Sequence, residues 1–416
     1  MAADRLGGDR VVGPRSVMSN AATARVTPLE LFFDLVFVYA LTQVTAMLAR
    51  EISAVGFARG LVVLGLVWWC WVGYSWLGNV AQADEGLLRL AFFLVMMAMF
   101  VMAITIPETF VDLPGGLDGP LVFVACYLVV HLVHLGLFWV AASDDAGLRR
   151  QILLFAPTVL VAGALLAAGA LLGPPWQLLL WSGALAVDLG GTMAAGASGW
   201  RLPSPGHFSE RHGLIVIIAL GESIVAIGVG VTALPVSWPI VVASMVGIAL
   251  AAGLWWLYFD VIALVAERAL ASTEGTARAR LARDAFTYLH LPMVAGIVVA
   301  ALGLKKTLEY VGGSEGHAWT DSLTGLAGWA LPIGIGLFVL AQVAFRLRIG
   351  KPASLSCVVA VAALGALGIL GQEVSVLVAL GLVFSVVAVL VAYETITHAE
   401  AREQLRHQHH TSQPAG

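Results

Sequence analysis

The chain has 416 residues, of which 60% are hydrophobic and 12% charged, with a mean hydropathy of +0.91. Soluble globular domains carry about 25% charged residues, so this composition excludes a soluble fold and predicts an all-α polytopic membrane protein. The formal net charge of -4 is small and identifies no partner by itself.

Residues 1–26 are polar and arginine-bearing and are expected to form a cytoplasmic tail. No short apolar core with a cleavage site follows them, so the first apolar segment should stay as a transmembrane helix. That helix has a clear start. Thr27-Pro28-Leu29-Glu30 fits a capping box, with Thr27 as N-cap, Pro28 at the first helical position and Glu30 reaching back. Asp34 lies one turn further in and shares a face with Glu30. The pair can form an acidic mouth to an internal cavity. Gln43 sits on the other side of the helix, past its midpoint.

Twelve apolar segments meet the ~20-residue length that spans a bilayer. Their approximate limits are 28–49, 58–80, 88–107, 120–142, 150–173, 176–197, 209–231, 237–264, 284–305, 323–345, 353–371 and 374–396. The second carries Trp68-Trp69-Cys70-Trp71. The fourth places Tyr127, His131 and His134 on one face. Two histidines at that depth can relay protons, since imidazole titrates near neutrality, can ligate a metal, although no partner Cys or Glu on that helix supports it, or can simply be buried and hydrogen-bonded. The sixth carries Asp188 near its centre. The seventh carries Glu222 between Gly221 and Ser223. A carboxylate in hydrocarbon costs a few kcal/mol unless it faces protein or water, so both acids are candidates for a site. Packing through a hydrogen bond to another helix is the competing reading. The eighth holds Trp255-Trp256 above Asp260. The ninth opens Arg283-Asp284-Ala285-Phe286 and carries His290 before Pro292. Residues 397–416 form a tail rich in His, Gln and Arg, expected to be cytoplasmic.

With the N-terminus inside, 18 of the 22 Lys and Arg fall on the inner side, and only Arg50, Arg59, Lys305 and Lys306 on the outer. The positive-inside rule then places both termini in the cytoplasm. Arg211, with Glu210 and His212, reads as an interfacial anchor. It is separated from Glu222 by about 16 Å of helical rise, too far for a direct pair.

Several segments echo one another six helices on. Setting Ala40-Leu41 on Ala219-Leu220 brings Gln43 onto Glu222. Trp68-Trp69 matches Trp255-Trp256, and Arg89-Leu90-Ala91-Phe92 matches Arg283-Asp284-Ala285-Phe286. Because six is even, the halves would share one orientation, as parallel repeats. The expected organisation is a first six-helix repeat over 27–197, a linker at 198–208 and a second repeat over 209–396.

The cysteines Cys70, Cys126 and Cys357 lie in apolar runs without metal-ligand spacing, and no metal or cofactor is expected. A P-loop, an HExxH pair, a nucleophile elbow and a soluble catalytic domain are all missing. The chain reads as more consistent with a non-enzymatic role, and nothing points to nucleic acid. Membrane lipids are its expected surroundings. The substrate, or ion, and the oligomeric state are not given by sequence.

The string Thr27-Pro28-Leu29-Glu30-Leu31-Phe32-Phe33-Asp34-Leu35-Val36-Phe37-Val38 resembles the bacterial low temperature requirement A family. So do Glu210-Arg211-His212-Gly213-Leu214 and Ala219-Leu220-Gly221-Glu222-Ser223. The resemblance covers about residues 26–396. It implies a multi-pass protein of the bacterial inner membrane, in a family named for growth in the cold, and it implies no particular substrate. A fainter likeness links the chain to cation channels built from two six-helix repeats, although Phe33-Asp34 lacks the serine of their Phe-Ser-Asp motif.

The leading expectation is a secondary transporter, coupled to protons or cations, with a site between the repeats. Its candidate residues are Asp188, Glu222, His131, His134, Gln43, Asp34, Asp260 and His290. The alternatives are a cation channel, an intramembrane lipid-modifying enzyme and a structural membrane protein.

Overall fold

The computed structural model describes residues 25–81, 86–142, 145–232, 234–313, 316–397 and 399. Most of both tails, including the histidines His398, His407, His409 and His410, lies outside the described residues.

The helices in chain order are α1 (Pro28–Arg50), α2 (Ala54–Val80), α3 (Gly86–Thr105), α4 (Gly119–Ala141), α5 (Ala146–Leu172), α6 (Trp176–Ala195) and α7 (Pro205–Val231). They continue as α8 (Trp238–Phe259), α9 (Ile262–Ala271), α10 (Gly275–Leu281), α11 (Leu289–Val311), α12 (Gly325–Arg348), α13 (Leu355–Leu370) and α14 (Val376–Thr397). Two spans are compound. The eighth runs through α8 and α9, and the ninth joins α10 to α11 through a π-helical turn, Ala282–Tyr288. Among the described residues, twelve helical spans are long and apolar enough to cross a membrane, and no strand is present. The all-α polytopic reading is correct.

Local sequence sets the helix starts. The capping box at Thr27 is complete: its hydroxyl accepts from the Glu30 amide, and the Glu30 carboxylate accepts from the Thr27 amide at 2.9 Å. Ser53, Asp118 and Asp145 cap α2, α4 and α5 in the same way, each taking the amide three residues on. These caps satisfy amides that have no partner within the helix.

Packing separates a centre from a lipid-facing rim. In an apolar 18-residue stretch of each span, 78% of the residues are buried in the ninth and 67% in the second, but only 17% in the sixth. Apolar side chains on the rim, such as Leu90, Met97 and Ile104 of α3, remain exposed, as a hydrocarbon solvent permits. The tightest pair is α11 against α12. A Cβ on Gly303 would meet the Leu331 amide nitrogen at 2.4 Å, and one on Gly334 would meet that of Ala300 at 2.3 Å. Glycine at both places lets the backbones touch.

In the first half, α1 packs on α2 and α3, α3 on α4, α4 on α5, α5 on α6, and α2 on α6. In the second half, α7 packs on α8 and α11, α11 on α12, α12 on α13, α13 on α14, and α8 on α14. The halves meet where α1 packs on α7 and α11, and where α2 packs on α7 and α11.

Candidate functional site: a cleft and a polar ladder

The seam between the halves is held by charge. Arg211 of α7 is fully buried. It donates to Glu30 at 2.9 Å and to Asp34 at 2.8 Å, both on α1. Trp71 of α2 donates its indole N–H to the same Asp34 oxygen at 2.8 Å, and its ring lies 5.6 Å from the guanidinium. His207 Nε2 sits 2.9 Å from Glu30. Its Nδ1 lies 3.4 Å from the Asn79 amide nitrogen, which fits a tautomer that accepts there and donates to Glu30. Arg211 is therefore not an interfacial anchor. A guanidinium can enter the interior here because two carboxylates and an aromatic face receive it. The same pairing closes off Glu30 and Asp34, so they form no acidic mouth.

Beside this seam lies a partly open cleft. Trp69, Gly73 and Trp76 of α2 form one wall, and His131 and His134 of α4 form the deep end. Phe155 of α5 and Trp200 of the α6–α7 linker close the sides, while Thr192 of α6 and Arg283 and Thr287 of the π-helical turn line the rest. The cleft thus borrows residues from both halves, and it sits at the end of the bundle that carries the linker.

Two helices extend polar groups inward from it. Along α4, Phe123, Tyr127, His131 and His134 are all buried; along α6, so are Trp181 and Asp188. The Tyr127 hydroxyl donates to the Asp188 carboxylate, and the Tyr127 and His131 rings lie 4.3 Å apart. His131 Nε2 is 3.7 Å from the Cys70 thiol. His134 Nε2 is 3.0 Å from the Gly73 carbonyl and so carries the hydrogen there. At the far end, Trp181 stacks on Phe123 at 5.1 Å and packs on Phe110 at 5.2 Å. The order along the helices is cleft, His134, His131, the Tyr127–Asp188 pair, aromatic plug.

The sequence profile described as bacterial low temperature requirement A protein (LtrA) matches residues 25–393, from the capping box of α1 into α14. The chain belongs to the LtrA family. It is also 30% identical over 296 residues to an uncharacterized protein of Rhizobium meliloti (strain 1021), covering 68% of this chain and 69% of that one. No solved structure matches it.

In this LtrA chain the remaining sequence-derived candidates lie away from the cleft. Glu222 is buried on α7 and accepts from Thr42 of α1 at 2.6 Å, whereas Asp188 bonds to α4. The two acids thus belong to different helix contacts. Gln43, next to Thr42, is half-buried. Asp260 lies half-buried at the break between α8 and α9. His290 is fully buried, with Nδ1 3.2 Å from the Ala285 carbonyl and Nε2 2.7 Å from the Tyr258 hydroxyl. Its ring packs edge-on to His212 at 5.2 Å. Among the described residues, no group of three or more His, Cys, Asp or Glu is placed to hold a metal ion.

Sequence reasoning missed most of the LtrA cleft wall. Trp69, Gly73 and Trp76 fall at i, i+4 and i+7 on α2, a spacing that puts them on one face. That face was legible. Phe155, Trp200 and Arg283 come from other helices and carry no local signal.

Proposed function

We propose that this LtrA-family protein is a secondary carrier, coupled to a proton or cation gradient, whose substrate enters the cleft between the halves. One observation carries the reading. A cleft with two histidines in its lining lies in line with a buried Tyr–Asp pair and, beyond that, an aromatic plug. A gradient-driven carrier needs those parts: a site open to one side, a titratable group behind it and a closure on the other side. Intramembrane ionisable residues of this kind mark pathways and proton relays.

In this reading Asp188 carries the coupling proton. Tyr127 and the His131–His134 pair move it between Asp188 and the cleft. The linker end of the bundle faces the cytoplasm, in line with the arginine distribution, so the cleft is open inward and the Phe123–Trp181 plug is closed outward. The halves are parallel repeats, and closure is a rocking of one against the other about the α1–α7 seam. The recurring set of helix pairs supports the repeat. So do two edge-to-face contacts between the first and third spans of each half: Phe33 on Phe92 at 5.7 Å and His212 on Phe286 at 5.4 Å. The repeat register sets Phe33 on His212 and Phe92 on Phe286.

The test is uptake by proteoliposomes of purified protein, offered a mixture of bacterial small molecules under an imposed pH gradient and read by mass spectrometry. Wild type accumulates at least one solute, and Asp188→Asn loses the dependence on the gradient while remaining folded. Uptake by Asp188→Asn that tracks the gradient as in wild type overturns the assignment.

A further inference from the structure

We propose that the cleft takes a small organic anion with an aromatic body, its anionic group at Arg283 and a hydrogen-bond donor reaching His134. The inference deepens the carrier reading and rests on it for the purpose of the site, though binding can be measured without it.

The walls argue for the body. Trp69, Trp76, Trp200 and Phe155 line the space with aromatic rings. Aromatic ligands gain from such surfaces beyond simple burial. A hydrated inorganic ion gains little, because ring walls do not replace its water.

The charge argues for the anion. Arg283 donates to Asp284 at 2.7–2.8 Å, and Arg348 donates to the other oxygen of the same carboxylate at 2.8 Å. Two guanidiniums on one carboxylate leave one net positive charge. Of these three groups, Arg283 lines the cleft. Among the described residues lining the cleft none is acidic, so a cation would meet no counter-charge. A guanidinium matches a carboxylate or phosphate in shape as well as sign.

The deep end argues for a donor. His134 is 4% exposed, and its Nε2–H is taken by the Gly73 carbonyl. Its Nδ1 is then an acceptor, buried and without a partner among the described residues. A buried acceptor left open costs stability, and a ligand hydroxyl or N–H would satisfy it. The cleft lining therefore includes a positive group, an open acceptor and several aromatic rings.

The experiment is binding by the full-length protein in phosphatidylcholine nanodiscs, measured calorimetrically with four probes. These are 4-hydroxybenzoate, benzoate, 4-hydroxybenzyl alcohol and dodecanoate. We expect saturable binding of 4-hydroxybenzoate. Loss of either the charge or the hydroxyl should weaken it about tenfold, the scale of one hydrogen bond to a charged or buried group. Arg283→Gln should weaken 4-hydroxybenzoate to the same degree and leave 4-hydroxybenzyl alcohol unchanged, while Arg283→Lys should recover part of the loss. His134→Phe should abolish the preference for 4-hydroxybenzoate over benzoate. Absence of binding by all four probes at millimolar concentration overturns the proposal. So does equal binding of charged and uncharged probes, or binding of dodecanoate alone, which would make the cleft a lipid site. Binding as expected without uptake into proteoliposomes would keep the ligand class and remove the carrier. Uptake of other solutes without binding of these probes would do the reverse.

Discussion

Arg211 of α7 donates to Asp34 of α1 at 2.8 Å across 177 residues of chain. The same guanidinium holds Glu30, so a single side chain ties both acids of α1 to the second half of the molecule. Glu30 is at once the closing residue of the α1 capping box and half of this bridge.

Removing Arg211 should therefore be severe. Arg211→Gln leaves two buried carboxylates without their counter-charge, and breaking a buried pair in this way costs roughly 3–5 kcal/mol. Arg211→Lys should recover only part of that, because one ammonium cannot fork onto Glu30 and Asp34 as the guanidinium does. Thermal unfolding of detergent-solubilised protein reads both. Equal melting of Arg211→Gln and wild type would show the bridge to be dispensable.

Gly303 and Gly334 should tolerate nothing larger. Gly303→Ala would drive a methyl into the Leu331 backbone, and overpacking of this kind costs about 1–3 kcal/mol. The glycines Gly221 and Gly228 of α7 have open space where a Cβ would stand, so Gly221→Ala and Gly228→Ala serve as neutral controls. The readout is the melting temperature of each variant.

The plug should be leaky when cut. Trp181→Ala, in α6 opposite Phe123, is expected to raise proton leak into proteoliposomes that contain no solute. Trp181→Phe keeps a ring in place and should stay tight, which separates loss of closure from loss of fold. A pH-sensitive dye inside the vesicles follows the leak. Equal leak rates for Trp181→Ala and wild type would mean that closure lies elsewhere.

The cleft should be reachable from one side only. In a background lacking Cys70, Cys126 and Cys357, Thr192→Cys should react with a membrane-impermeant maleimide applied from the cytoplasmic side. Ala184→Cys, two turns away on α6 and fully buried, should not react. Labelling of Thr192→Cys from the outer side alone would reverse the assigned orientation.

Outside the spans, the α5 start should be acid-sensitive. Burial alone would raise the Asp145 carboxyl, but the Leu148 amide and Arg201 outweigh it and hold the group below its ordinary value of 3.8. A depressed acid stabilises above its unfolded value and loses that contribution as pH falls through the folded one. The Asp145–Arg201 bridge should thus persist at pH 5 and be lost only below about pH 4. Proteolysis at Arg201 does not suit that range, so an acid-active protease cutting within 198–204 is the measure. Asp145→Asn should expose the linker at every pH.

Much of the fold was legible in the residues. The twelve spans follow from apolar runs of bilayer length, and the α1 start follows from Thr27, Pro28 and Glu30. Both signals are local: each depends on residues within a turn or a single helix, so no knowledge of neighbours is needed. The depth of Asp188 and Glu222 was equally readable, because depth is a count along one helix.

Partners were not. That Arg211 would leave the interface for Glu30 and Asp34, that Asp188 would meet Tyr127 and Glu222 would meet Thr42, depended on which helix faces were brought together. Hydropathy says little about this, since lipid and neighbouring helix are both apolar. The cleft is the plainest case. Its walls come from α2, α4, α5, α6, the linker and the π-helical turn, and no stretch of sequence contains them. Sequence decided what could cross the membrane; only the packing of helices against one another decided where an opening would be left.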